Sequence, residues 1–189
     1  MISWVIAACL TRLYSIDKSF KIALALSLAD CMAIILAFCS LQKDSTSQIV
    51  ELRKVIDVGL LQLAVDKLRS KSLEQTQMEA IEKAMEELEY QAHMDKPQAR
   101  SLYEADVQFH MAIVGITENV MLQSICNYVD KITRRSRMVT IDRIFLDGEV
   151  ENFLDLHRRI VKLLQDRDSA GIYAIVEEHY QYWAKVKDE

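Results

Sequence analysis

The chain has 189 residues, 51% of them hydrophobic and 27% charged, enough for one well-buried domain with an appendage. Four glycines and one proline are too few for the many tight turns of an all-β fold. A net charge of −5 argues against direct contact between this chain and nucleic acid.

The four cysteines, Cys9, Cys31, Cys39 and Cys126, form no CxxC pair. They read as small buried hydrophobes in a reducing compartment, which points to the cytoplasm. Residues 1–23 carry scattered apolar points, among them Trp4, Leu10 and Leu13, and are left unassigned. Residues 22–41 are strongly apolar and long enough to cross a bilayer. Asp30 lies in their middle, where a charge in lipid is expensive, so a buried core helix is favoured over a membrane span.

The polar run 42–48, QKDSTSQ, reads as a loop. The next helix ends near Leu68, with Val50, Leu52, Val55, Ile56, Leu60, Leu63 and Ala64 at helical spacing. Ser72 and Gln75 make a capping-box signature for a charged helix with one wide exposed face. A break follows, and Pro97 suits the first turn of a helix that carries Leu102, Asp106, Phe109, His110 and Val114. Residues 115–119 form a second break. A helix from Val120 to about Thr140 and a loop at 142–149 come next. A helix from about Glu149 to Gln165 holds His157, and Asp168 is positioned to cap the last helix, which holds His179. The whole is an all-α antiparallel helix bundle of about six to eight helices, with residues 24–189 as its domain.

Asp106 and His110 stand four apart, on one face of a helix. His157 and His179 lie beside apolar stripes on two other helices, whereas His93 sits in a polar break as a surface residue. Taken singly, each imidazole is as readily a hydrogen-bonded core residue as a ligand. Taken together, three imidazoles and one carboxylate facing a bundle interior need a shared partner, and a divalent cation such as Zn, Ni or Mn supplies it.

Three stretches carry a resemblance: VELRKVIDVGLLQLAV, then YEADVQFHMAIVGITENVMLQSI, then LDLHRRIVKLLQDRDSAGIYAIVEEH. With them, the chain from about Asp30 onward resembles the effector-binding C-terminal domain (FCD type) of the FadR branch of GntR-type bacterial transcription regulators. Asp106, His110, His157 and His179 fall where that family places its metal ligands. The resemblance implies a metal in a central cavity, open to the carboxylate of a small organic acid, in a homodimer. It also implies ligand-facing roles for Arg53, Asn119, Arg134 and Arg137. Arg53 has an equal alternative as a surface ion pair, Asn119 as a helix cap, and Arg134 and Arg137 as a solvated face.

Members of that family read DNA through a winged helix-turn-helix domain. The segment before Val50 carries only Arg12, Lys18, Lys21 and Lys43 as basic residues and no recognition-helix motif. The chain is therefore expected to be the metal-dependent small-carboxylate sensor of such a regulator without its DNA reader, and not an enzyme. Two other classes stay open. A metalloenzyme built on the same four ligands lacks an HExxH motif, and Glu177 and Glu178 are turned away from the face of His179. A membrane-tethered helical interaction protein rests on residues 22–41 alone.

Overall fold

The computed structural model describes the backbone of residues 45–70 and 75–185, and side chains at 48–70 and 76–181. The apolar run 22–41, the unassigned residues 1–23 and the capping box at Ser72 lie outside the described residues. Among those described there are six helices and no strand: α1 (Ser45–Ser70), α2 (Gln75–Ala92), α3 (Ala99–Ile116), α4 (Val120–Leu146), α5 (Val150–Gln165) and α6 (Ile172–Lys185). None of them is long and apolar enough to cross a membrane.

Each helix is set by its apolar stripe. On α2 the buried residues Ile81, Met85, Leu88 and Ala92 recur every three or four positions, and the remaining faces are charged. On α6 the same spacing buries Ile172, Ile175, Val176 and Tyr180. Helix α5 buries Phe153, Leu154, Leu156, His157, Ile160, Val161, Leu163 and Leu164 and leaves its other side polar. Helix α3 is buried on more than one side, from Leu102 and Tyr103 through Phe109 to Ile116. It packs against both α2 and α4, while α5 packs on α2 and α6, and α4 touches α5 and α6. Helix α1 adds Leu60, Leu61, Ala64, Val65 and Leu68 to the same core. Its C-terminal end is fixed by Arg69, whose Nε donates to Arg167 O at 3.0 Å.

The turns after α3 and after α4 are short and closed locally. Asn119 caps α4 by accepting from Leu122 N at 3.1 Å. Just past the C-cap of α4, Asp147, stands Gly148, whose φ of 69° is the left-handed conformation that glycine adopts without a Cβ penalty. Glu149 N then reaches back to Ile144 O at 2.9 Å.

Four sequence expectations are corrected here. The first helix begins at Ser45, inside the polar run read as a loop. Helix α4 continues to Leu146 through the segment expected to be a loop, because Ile141 and Ile144 prolong its buried stripe. Pro97 precedes the N-cap residue Gln98 and so lies outside the first turn of α3. Asp168 accepts from Ala170 N at 2.8 Å, which closes the turn before α6 instead of capping the helix itself.

Candidate metal centre

The four residues singled out by spacing converge in the bundle interior. One potential ligand atom each from Asp106, His110, His157 and His179 lies within 4.8 Å of all the others. Helix α3 supplies the first two, α5 the third and α6 the fourth. The imidazoles meet edge to face, with ring centroids 5.6 Å apart for His110–His157, 5.2 Å for His110–His179 and 5.1 Å for His157–His179. Phe109 and Phe153 pack on His157 at 5.0 and 4.3 Å and help to hold its ring. His157 is fully buried and Asp106 is 4% exposed, so water does little to satisfy either.

The hydrogen bonds show which atoms are left to share. His157 Nδ1 lies 2.7 Å from Phe153 O, an acceptor only, so Nδ1 carries the proton. In a neutral imidazole the other nitrogen, Nε2, then presents a lone pair. That lone pair faces Asp106 Oδ1 at 2.9 Å, itself an acceptor. Two buried acceptors at this separation require a cation between them, whether a proton or a metal ion. His110 Nε2 lies 3.3 Å from the same oxygen and, buried, has no hydrogen-bond partner. The second carboxylate oxygen is occupied: Arg137 Nη2 donates to Asp106 Oδ2, and its Nη1 donates to Asp130. The donor set therefore fits a divalent ion of the borderline class, which Asp106 Oδ1 and three imidazole nitrogens would hold.

The electrostatics agree with that set. Burial pushes the Asp106 carboxyl up, but Arg137, His110 and His157 outweigh it and hold the group well below the usual carboxylate range. Burial lowers His110 against the opposing pull of Asp106. His179 lies well below the ordinary imidazole value, through burial first and then the other two imidazoles. An ionised Asp106 beside His110 and His179 held below their ordinary value is the protonation state that metal ligation needs.

Around this cluster lies a charged girdle. Arg53, 8% exposed, donates from Nε to Tyr180 Oη at 3.0 Å and from Nη1 to Thr133 Oγ1 at 3.3 Å. Its Nη2 is 3.9 Å from Asp57, to which the Tyr180 hydroxyl also donates. Burial opposes the Arg53 charge, yet the Tyr180 oxygen, Asp57 and Asp106 hold it more firmly protonated than a free arginine. Tyr103 donates to Asp130 at 2.8 Å, and its hydroxyl is pushed up to about 12 by burial and by that carboxylate. Narrow clefts open beside the cluster, two of them walled in part by both Arg53 and Arg137. One includes Arg53, Asp57, His110, Cys126, Asp130 and Arg137 in its walls, the other Arg53, Asp106, Arg137, Thr140, His179 and Tyr180.

Of the expected ligand-facing residues, Arg53 and Arg137 line these clefts and two do not. Asn119 is exposed and occupied as the α4 cap, the alternative already visible in its position. Arg134 is exposed and lies over the Tyr103 ring, its guanidinium carbon 5.7 Å from the centroid. His93 is on the surface as expected, 2.7 Å from Glu151. Sequence reasoning missed Asp57, Asp130, Tyr180 and Thr133. Asp57 stands four residues after Arg53 and Asp130 seven before Arg137, spacings that share a helix face and could have found both.

The comparisons with known proteins bear on this geometry. The model of the FCD domain family matches residues 48–182, the stretch that contains every residue of the cluster. The HTH-type transcriptional regulator LutR of Bacillus subtilis (strain 168) is 25% identical over 142 residues, 74% of this chain and 60% of that protein. The chain thus spans about three fifths of the length of this relative. No solved structure matches. With the family model covering well over half of the residues, the chain belongs to the FCD domain family, an effector-binding domain of that type.

Proposed function

We propose that this domain is the metal-dependent small-carboxylate sensor of a transcription regulator, acting in the cytoplasm as a homodimer. The observation that carries the proposal is the buried pair of acceptors, His157 Nε2 and Asp106 Oδ1, beside the orphaned His110 Nε2. A Zn, Ni or Mn ion held by Asp106, His110, His157 and His179 supplies an electrophilic anchor for a carboxylate oxygen. The protein's own residues do the rest. Phe153 O orients His157, and Arg137 holds the far oxygen of Asp106, so both ligands point one way before any acid arrives.

The site also joins the elements of the fold. Its ligands come from α3, α5 and α6, Arg137 ties in α4, and the Arg53–Tyr180 bond ties α1 to α6. An acid seated here biases five helices toward one arrangement, and that bias is what a dimer or a DNA-reading domain can sense. Contact with DNA belongs to a winged-helix domain, in keeping with the description of LutR as an HTH-type regulator. Binding of small carboxylates is tested by thermal shift with and without chelator. A rise in melting temperature that disappears with the metal supports the reading, and a rise that survives chelation overturns it.

The two glutamates that an enzymatic reading would draw on are engaged elsewhere. Glu177 accepts from Lys54 at 2.8 Å, and Glu178 takes both arms of Arg159 at 2.9 Å. Neither carboxylate is directed at the histidines.

A further inference from the structure

The two arginines beside the metal centre are already committed. Arg137 divides its fork between Asp106 and Asp130. Arg53 spends Nε on Tyr180 and Nη1 on Thr133, with Asp57 beside Nη2. A ligand entering the clefts therefore meets no open guanidinium fork, the group best shaped to take a second carboxylate. It meets the carboxylates of Asp57 and Asp130, which share the wall of one cleft with His110. Apart from the two arginines and the Cys126 thiol, the rest of that wall is apolar: Ile56, Leu60, Val107, Met111, Val114 and Val129.

A charge count over the same residues points the same way. Arg53 and Arg137 contribute two positive charges, and Asp57, Asp106 and Asp130 three negative ones, with the imidazoles neutral as metal ligands. A divalent cation brings the set to a single positive charge. One carboxylate neutralises it, and a second leaves an uncompensated negative charge in a confined site of low dielectric.

Building on the proposed metal centre, we infer that the effector is a monocarboxylate with an apolar remainder, and that Asp57 and Asp130 reject acids carrying a second carboxylate. The cation takes the single carboxylate, and the hydrocarbon wall beside His110 covers the tail. Selectivity thus comes from an unfavourable contact with the wrong ligand as much as from a favourable one with the right ligand.

The test uses butanoate and succinate, which share a four-carbon backbone and differ in one carboxylate. The chain is loaded with metal, its metal content is measured, and each acid is titrated by calorimetry. Butanoate is expected to bind at least about tenfold more tightly than succinate. Asp130→Asn and, separately, Asp57→Asn are each expected to strengthen succinate more than butanoate and so to narrow the preference by at least about threefold. Succinate binding as tightly as butanoate, an unchanged preference in both variants, or no binding of either acid to fully loaded protein overturns the inference. A chain that takes up no metal is recognised before any acid is added, and that result speaks against the metal centre itself.

Discussion

Replacing His110 by leucine separates a metal ligand from a core residue. In the metal-free chain, His110 Nε2 is buried without a hydrogen-bond partner. Such a stranded group costs about 1–3 kcal/mol. Leucine fills a similar volume and carries no polar atom, and an imperfect fit returns about 1 kcal/mol of that gain. His110→Leu is therefore expected to leave the stripped domain between unchanged and about 2 kcal/mol more stable by urea unfolding. The response to metal goes the other way. Metal at about 100 times its Kd adds about 2.7 kcal/mol to the parent. In a domain of this size that is a rise of about 5–11 °C in Tm. His110→Leu is expected to lose most of this rise. A variant that is destabilised by more than about 2 kcal/mol when stripped, and yet keeps the full metal response, refutes the reasoning.

Two further predictions concern pH and the α4 cap. His110 and His179 titrate below the ordinary imidazole value in the fold, so below about pH 6.5 the unfolded chain takes protons that the folded chain refuses. Metal-free stability is thus expected to fall as pH drops from about 7.5 to about 5, with a shallower slope in His110→Leu, measured by urea midpoints at each pH. Asn119→Ala removes the bond to Leu122 N and is expected to cost about 1 kcal/mol while leaving metal content unchanged. A loss of metal in that variant would instead place Asn119 at the site.

The legible part of the site is the part written in helical spacing. Asp106 and His110 share a face because they are four apart, and His157 and His179 sit within apolar stripes, so the residue order alone turns all four inward. The girdle is tertiary. Tyr180 hydrogen-bonds Arg53 across 127 residues of chain, and no local pattern announces that partnership. Arg134 and Arg137 belong to one basic run, yet only Arg137 falls on the stripe shared with Thr133 and Ile144 and is buried. Their fates differ through rotation about the helix axis, which a charge run does not reveal. The end of α4 is misplaced by sequence because Asp142 and Arg143 look like loop residues, while Ile141 and Ile144 carry the helix onward to its stop before Gly148.

The central claim is that Asp106, His110, His157 and His179 hold one metal ion, and elemental analysis tests it most directly. The parent is equilibrated with Zn, Ni or Mn, desalted and assayed beside a His110→Ala, His157→Ala double variant whose folding is checked by circular dichroism. About one ion per chain in the parent and none in the folded variant is the result expected. A parent that retains no metal from any of the three, or a folded variant that retains as much as the parent, contradicts the account.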